Sequence, residues 1–181
     1  MKNFIKCLIY LAVMGILFFF IGRIVPKKWF RYDKFPYRLF GFEKDGVVYH
    51  AIGIRKWKSK FPDMSIIMPK LIPSKKMPDT VNAANMELMV QETCIAEWTH
   101  LLLSILGFGC VFLWESAGGW IVAVLYVFGN IPYILIQRHN RPKLVRILHR
   151  LNDRDKAYAC SKTEYINEEG YHSELQHGTG T

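Results

Sequence analysis

Glu97 and His100 lie three residues apart in ETCIAEWTHLLLSILGFGCVFLW, a stretch that opens with Glu92 and other ionisable groups and ends as an unbroken apolar run. At about 100° per residue the pair falls about 60° apart and one turn along a helix, so the two side chains can meet. A carboxylate beside an imidazole orients the ring and raises its basicity, and apolar surroundings keep water from competing; this is the makeup of a general base. The same spacing also serves as an ordinary contact on a helix surface. Thr93, Ala96, His100, Ser104 and Gly107 continue as a stripe of small or polar residues, along which another backbone or a lipid tail can lie.

Two further groups are suited to anions. In QRHNRPKLVRILHRL, Gln137, Arg138, His139, Asn140 and Arg141 emerge together after an apolar run, and guanidinium groups bind phosphate or carboxylate in a fork. The plain alternative is a basic cap that ends a membrane crossing. In RKWKSKFPD, Arg55, Lys56, Lys58 and Lys60 surround Trp57; this cluster fits an anionic headgroup, the phosphates of an activated acyl donor, or a solvated anchor at the interface. The four cysteines, Cys7, Cys94, Cys110 and Cys160, form no C-x-x-C pair, so neither a disulfide framework nor a metal site is indicated, and no cofactor is expected. No Ser or Cys with an adjacent base is evident, which favours direct transfer over a covalent intermediate.

The elements that must position these groups follow from hydropathy. The chain of 181 residues is 51% hydrophobic, and its apolar residues crowd into 4–25, 98–114 and 120–136. A crossing of the bilayer needs roughly 17 to 25 such residues. The expected fold is an all-α integral membrane protein with about three transmembrane helices, one N-terminal anchor plus a C-terminal helical hairpin, joined by interfacial helices. The first run lacks small residues ahead of a cleavage point and reads as a retained anchor.

Residues 1–151 form one membrane domain on this reading. Apart from Lys2 and Lys6, every Lys and Arg lies in 23–76 or 138–162 and none in the connector ESAGG, which places 26–97 and the C-terminal part in the cytoplasm. The formal charge of +9 then reads as affinity for anionic membrane lipids. No zinc-finger, KH or RRM pattern supports nucleic acid as the partner.

Aromatic and basic residues alternate through PKKWFRYDKFPYRLFGFEKDG, as suits a segment lying on the membrane. Three prolines make 64–79 an irregular loop able to cover a site as a lid. A helix capped by Asp79 or Thr80 is expected to run unbroken from about 81 to 114. Gly129, Asn130 and Pro132 interrupt the third run, where Asn130 should face the other helices, and Pro142 opens a new helix. The polar tail 152–181 has little periodicity and reads as disordered. With three spans, Glu97, His100 and Arg138 to Arg141 share one cytoplasmic edge and can face a single site.

The order IGRIVPKKWF, RKWKSKFPD, ETCIAEWTH and NIPYILIQRHNRPKL resembles the bacterial glycosyl-4,4'-diaponeurosporenoate acyltransferases over about 21–151. These small cell-membrane proteins act in staphyloxanthin-type carotenoid biosynthesis, attaching a fatty acyl chain to the sugar of a carotenoid glycoside. The resemblance implies an acyl donor, acyl-CoA or acyl carrier protein, and a glycosylated lipid or carotenoid acceptor. Arg55, Trp57, Lys58, Glu92, Glu97, His100, Gln137, Arg138, Asn140, Arg141 and Pro142 fall on the family pattern. The chemistry above then makes His100 the base, oriented by Glu97, with Arg138 or Arg141 and Asn130 or Asn140 steadying the oxyanion or donor phosphate. The competing expectation is a non-catalytic small subunit or scaffold of a lipid-synthesis complex.

Overall fold

The computed structural model describes residues 1–43, 47–60 and 82–177 and, for 59 and 163–177, the backbone alone. The loop expected over 64–79 and the caps expected at Asp79 or Thr80 lie outside the described residues. Six α-helices are described: α1 Lys2–Ile24, α2 Val47–Ala51, α3 Ile54–Trp57, α4 Ala83–Leu106, α5 Gly109–Leu113 and α6 Ala117–His177. Single 3-10 turns occur at Lys27–Trp29, Gly41–Glu43 and Lys58–Lys60. Among the described residues there is no strand. Three helical stretches are long and apolar enough to cross a membrane: Lys2–Ile24, Ala83–Leu113 and Ala117–Lys162.

The frame is the antiparallel pair α4 and α6. Contacts step up α4 as they step down α6: Met86 and Val90 pack on Leu148 and Leu151, Thr93 meets Arg141, Glu97 meets Arg138, and His100 meets Asn130. The small-residue stripe is this seam. A Cβ added at Gly107 would lie 2.7 Å from the Tyr126 ring, so the stripe admits a protein helix along its length.

The anchor α1 packs across α4 and α5. Gly22 lets it approach closely, because an added Cβ would stand 3.3 Å from Ile95 and from Thr99. Cys7, Leu11 and Cys110 form a small core bordered by Tyr10, Trp114, Val122 and Tyr126. The outward faces of α1 and α6 remain apolar and exposed, with Leu8, Ile9, Val13 and Phe20 on one and Ile121, Leu125 and Phe128 on the other. Such surfaces suit hydrocarbon.

Three expectations about helix limits are corrected. The helix expected from 81 to 114 starts after Asn82, whose side chain accepts the Asn85 N–H at 2.8 Å, and stops at Leu106 before α5. Tyr10 donates to the Leu106 carbonyl at 2.9 Å, which supplies a partner where the helix ends inside an apolar region. The expected interruption at Gly129 to Pro132 and the new start at Pro142 are absent: α6 is one helix containing both prolines. Each proline deletes one N–H, a local loss that the packing of α6 on α4 outweighs. The tail, expected to be disordered, continues α6 to His177. Its described side chains from Asp153 on are exposed, so the missing apolar periodicity reported the absence of a packed face rather than of a helix.

Between the spans, the segment after α1 folds back over the adjoining parts of α4 and α6. Phe30 and Tyr37 are buried against Cys94 and Ile95, with Trp98 beside them. Gly53 has φ +61, a left-handed conformation that separates α2 from α3 and that side-chain-bearing residues seldom adopt. This turn brings His50, Arg55 and Lys58 to the same part of the molecule.

Candidate active site

Two arginines one turn apart on α6 face the α4 seam, and each is almost wholly buried: Arg138 is 6% exposed and Arg141 2%. Burying a guanidinium requires acceptors for its five N–H groups. Arg138 finds all five. Its Nε and Nη2 grip Glu43 at 2.8 and 2.5 Å, Nη1 donates to Glu97 Oε1 at 2.6 Å and to the Pro36 carbonyl at 3.0 Å, and Nη2 also reaches the Arg38 carbonyl at 3.2 Å. Arg141 donates to the Thr93 hydroxyl at 2.9 Å, the Tyr37 carbonyl at 2.7 Å, the Thr93 carbonyl at 3.1 Å and Glu97 Oε2. The Thr93 hydroxyl in turn donates to the Val90 carbonyl at 2.7 Å.

Two cations and two carboxylates thus cancel in a closed network. Burial alone would raise the Glu43 carboxyl, but the Arg138 guanidinium, the Phe40 N–H and the Tyr49 hydroxyl outweigh it and hold Glu43 below its ordinary range. Burial, reinforced by Cys94 and Glu97, pushes Tyr37 up to about 12.

This network corrects the expected roles. Glu97 spends both oxygens on the arginines and does not orient His100, and Arg138 has no N–H left for an oxyanion or a phosphate. Glu92 is likewise structural: it pairs with Lys27 at 2.7 Å and Arg23 at 3.8 Å, fastening the end of α1.

His100, one turn further into the seam, has its own partners. Its Nδ1 lies 2.8 Å from Asn130 Oδ1, and its ring stacks on Tyr133 with centroids 4.7 Å apart and planes 9° apart. Asn130 Nδ2 donates to the Tyr126 carbonyl at 2.8 Å, which fixes the amide so that its oxygen faces the ring. An oxygen acceptor there calls for hydrogen on Nδ1, which in the neutral form of the ring leaves the lone pair on Nε2. Asn130 thus stands against the ring where the spacing places Glu97, and one of its two amide N–H groups is bound to the Tyr126 carbonyl.

A third group lies at the edge. Lys58 Nζ donates to Asn140 Oδ1 at 3.3 Å, and Lys143 Nζ lies 3.1 Å from His139 Nε2. Trp57 donates its indole N–H to the Ile52 carbonyl at 2.9 Å and so braces the turn carrying Arg55 and Lys58. Tyr49 joins this group to the buried network, with its hydroxyl on Glu43 at 2.8 Å and its ring against His139 at 5.2 Å. Gln137 is buried on α6 between Tyr133 and Asn140, which share its face at spacings of four and three.

Where the sequence reading expects one site, the structure forms three groups: Glu97, Arg138 and Arg141; His100 and Asn130; and Lys58 with Asn140, Arg55 lying near them beside His139. The sequence reading has Glu97, His100 and Arg138 to Arg141 facing a single site. It missed Glu43, Tyr133 and the backbone acceptors at 36–38. The available signal was charge balance: two arginines three residues apart on a helix cannot both be buried against Glu97 alone. A separate cleft of about 550 Å³, lined in part by Tyr32, Tyr37, Arg38, Arg146 and His149, touches only Arg141 of the expected site residues. Among the described residues no three His, Cys, Asp or Glu gather as a metal would require.

A sequence-family profile described as glycosyl-4,4'-diaponeurosporenoate acyltransferase matches residues 26–150, the span that contains all three groups. Proteins named glycosyl-4,4'-diaponeurosporenoate acyltransferase in Staphylococcus aureus strains N315, bovine RF122 / ET3-1 and USA300 are each 30% identical over 167 residues, covering 87% of this chain and 98% of theirs. No solved structure matches the chain.

Proposed function

Because the chain belongs to the glycosyl-4,4'-diaponeurosporenoate acyltransferase family, we propose that it moves a fatty acyl chain from a thioester donor, acyl-CoA or acyl carrier protein, to a sugar hydroxyl of a glycosylated carotenoid or related glycolipid. The observation that supports a His-assisted transfer is the tautomer of His100, set by Asn130.

In this reading His100 Nε2 accepts the hydroxyl proton as the sugar oxygen attacks the acyl carbonyl. The new C–O bond forms, the C–S bond of the collapsing tetrahedral adduct breaks, and the imidazolium returns its proton to the departing thiolate. Asn130 Oδ1, accepting from Nδ1–H throughout, stabilises the charged ring. Tyr133 holds the imidazole plane. Gln137 and Asn140 extend the polar face toward the donor, and Lys58 and Arg55 attract its charge. Glu97, Arg138, Arg141 and Glu43 maintain the frame without touching substrate.

The distribution of Lys and Arg favours an orientation with 26–97 and the residues after 137 in the cytoplasm of a bacterial cell and the connector 115–119 outside. A cytosolic thioester then approaches the edge of the seam while an acceptor dissolved in the bilayer approaches from its apolar side. In proteoliposomes supplied with acyl-CoA and a glycosyl carotenoid, His100→Ala should lower kcat by about 10² to 10⁴, with the donor KM little changed. Full kcat in a normally folded His100→Ala protein overturns the reading.

A further inference from the structure

Around His139 the structure assembles positive charge that the proton transfer does not use. His50 comes from α2, Arg55 and Lys58 from α3 and the turn after it, and His139 and Lys143 from α6. Among the described residues Arg55, Lys58 and Lys143 have no carboxylate partner, whereas Arg23, Lys27, Arg31 and Arg141 each have one and Arg138 has two. Their nearness registers on one another. Burial first, then Lys143, Lys58, Arg55 and His50, pushes His139 down to about 4, and burial with Lys58 and Arg55 lowers Lys143. His139 is therefore uncharged at neutral pH and accepts from Lys143. Three cations gathered without a counter-charge repel one another, and a polyanion placed among them removes that repulsion.

The location adds a direction. Asn140, whose oxygen already holds Lys58, continues along one face of α6 through Gln137 to Tyr133, on which His100 is stacked. Asn140 lies seven positions along the helix from Tyr133, about 10 Å at 1.5 Å per residue. A pantetheine arm is long enough to bridge that interval.

We propose that Arg55, Lys58 and Lys143, with Asn140 and neutral His139 beside them, form the phosphate-binding end of a coenzyme A thioester site, from which the acyl carbonyl extends along Gln137 and Tyr133 to His100. The identity of the ligand rests on the acyl-transfer reading above. The charge count selects coenzyme A: its diphosphate and ribose phosphate match three uncompensated cations, while the single phosphodiester of a carrier-protein arm would match one.

The probe is coenzyme A itself, titrated calorimetrically into the full chain in phosphatidylcholine nanodiscs. Saturable binding is expected, weakened about tenfold by Lys58→Gln or by Lys143→Gln and largely restored by Lys143→Arg. His100→Ala should bind coenzyme A as the unmodified protein does, so a failure of the base and a failure of this site give different results. Unchanged coenzyme A affinity in the Lys58→Gln/Lys143→Gln protein overturns the proposal. So does a dependence on these residues that appears only for nanodiscs containing phosphatidylglycerol, which would make the cluster a headgroup site.

Discussion

Arg138 holds Glu43 through two nitrogens and two oxygens, Nε to Oε1 at 2.8 Å and Nη2 to Oε2 at 2.5 Å, across 95 residues of chain. The pair fastens the segment between the first two spans to the end of the third. Tyr49, whose hydroxyl donates to Glu43, is tied to the same pair.

Removing either member leaves an uncompensated buried charge. Glu43→Ala and Arg138→Ala should each lower stability by about 3 to 5 kcal/mol, and the double variant should lose much less than the sum. Denaturant unfolding of the four proteins of this cycle in detergent measures the coupling directly; additive losses would deny it.

Acid should weaken the fold through His139. Its folded value of about 4 lies below the ordinary 6.5, so as pH falls the unfolded chain takes up the proton first. Stability then declines from about pH 6.5 to about 4 on account of this residue, and no further below that. Glu43 acts in the same sense at lower pH, since a depressed carboxyl contributes stability above its ordinary value that is lost as pH falls through the folded one. Melting curves across this range should flatten between pH 6.5 and 4 in His139→Asn.

The left-handed turn at Gly53 is a test of how the cationic group is positioned. Gly53→Ala should cost about 1 to 2 kcal/mol by its φ of +61 alone, because nothing lies within 4 Å of an added Cβ. Melting should show a modest destabilisation, smaller than that of Glu43→Ala. A loss as large as Glu43→Ala would mean that the turn carries more than local strain.

Hydropathy made the three crossings and the α4–α6 seam legible, because lipid-facing and small-residue faces recur at the helical period. The site was legible in its residue types but not in its pairings. Glu97 and His100 satisfy the i,i+3 geometry, yet Arg138 and Arg141 bring their guanidinium donors, five N–H groups each, to the same carboxylate region, and a buried guanidinium without acceptors is costlier than an imidazole that can turn to Asn130. Spacing along one helix carries no information about such a competitor from another. Pro142 misled for a related reason: a proline's local preference to break a helix is weaker than the long-range contacts of Arg138, Arg141, Leu148 and Leu151 on either side of it.

The two charged assemblies differ in how they should respond to dissolved ions. The enclosed one is neutral as a whole and shielded from solvent, so ambient electrolyte has little hold on it; the peripheral one carries net charge at the surface, where at 0.15 M salt the field decays over about 8 Å. Concentrated salt would accordingly leave the scaffold standing while weakening the pull of the peripheral group on any anion, separating integrity from affinity in a single protein without altering a residue.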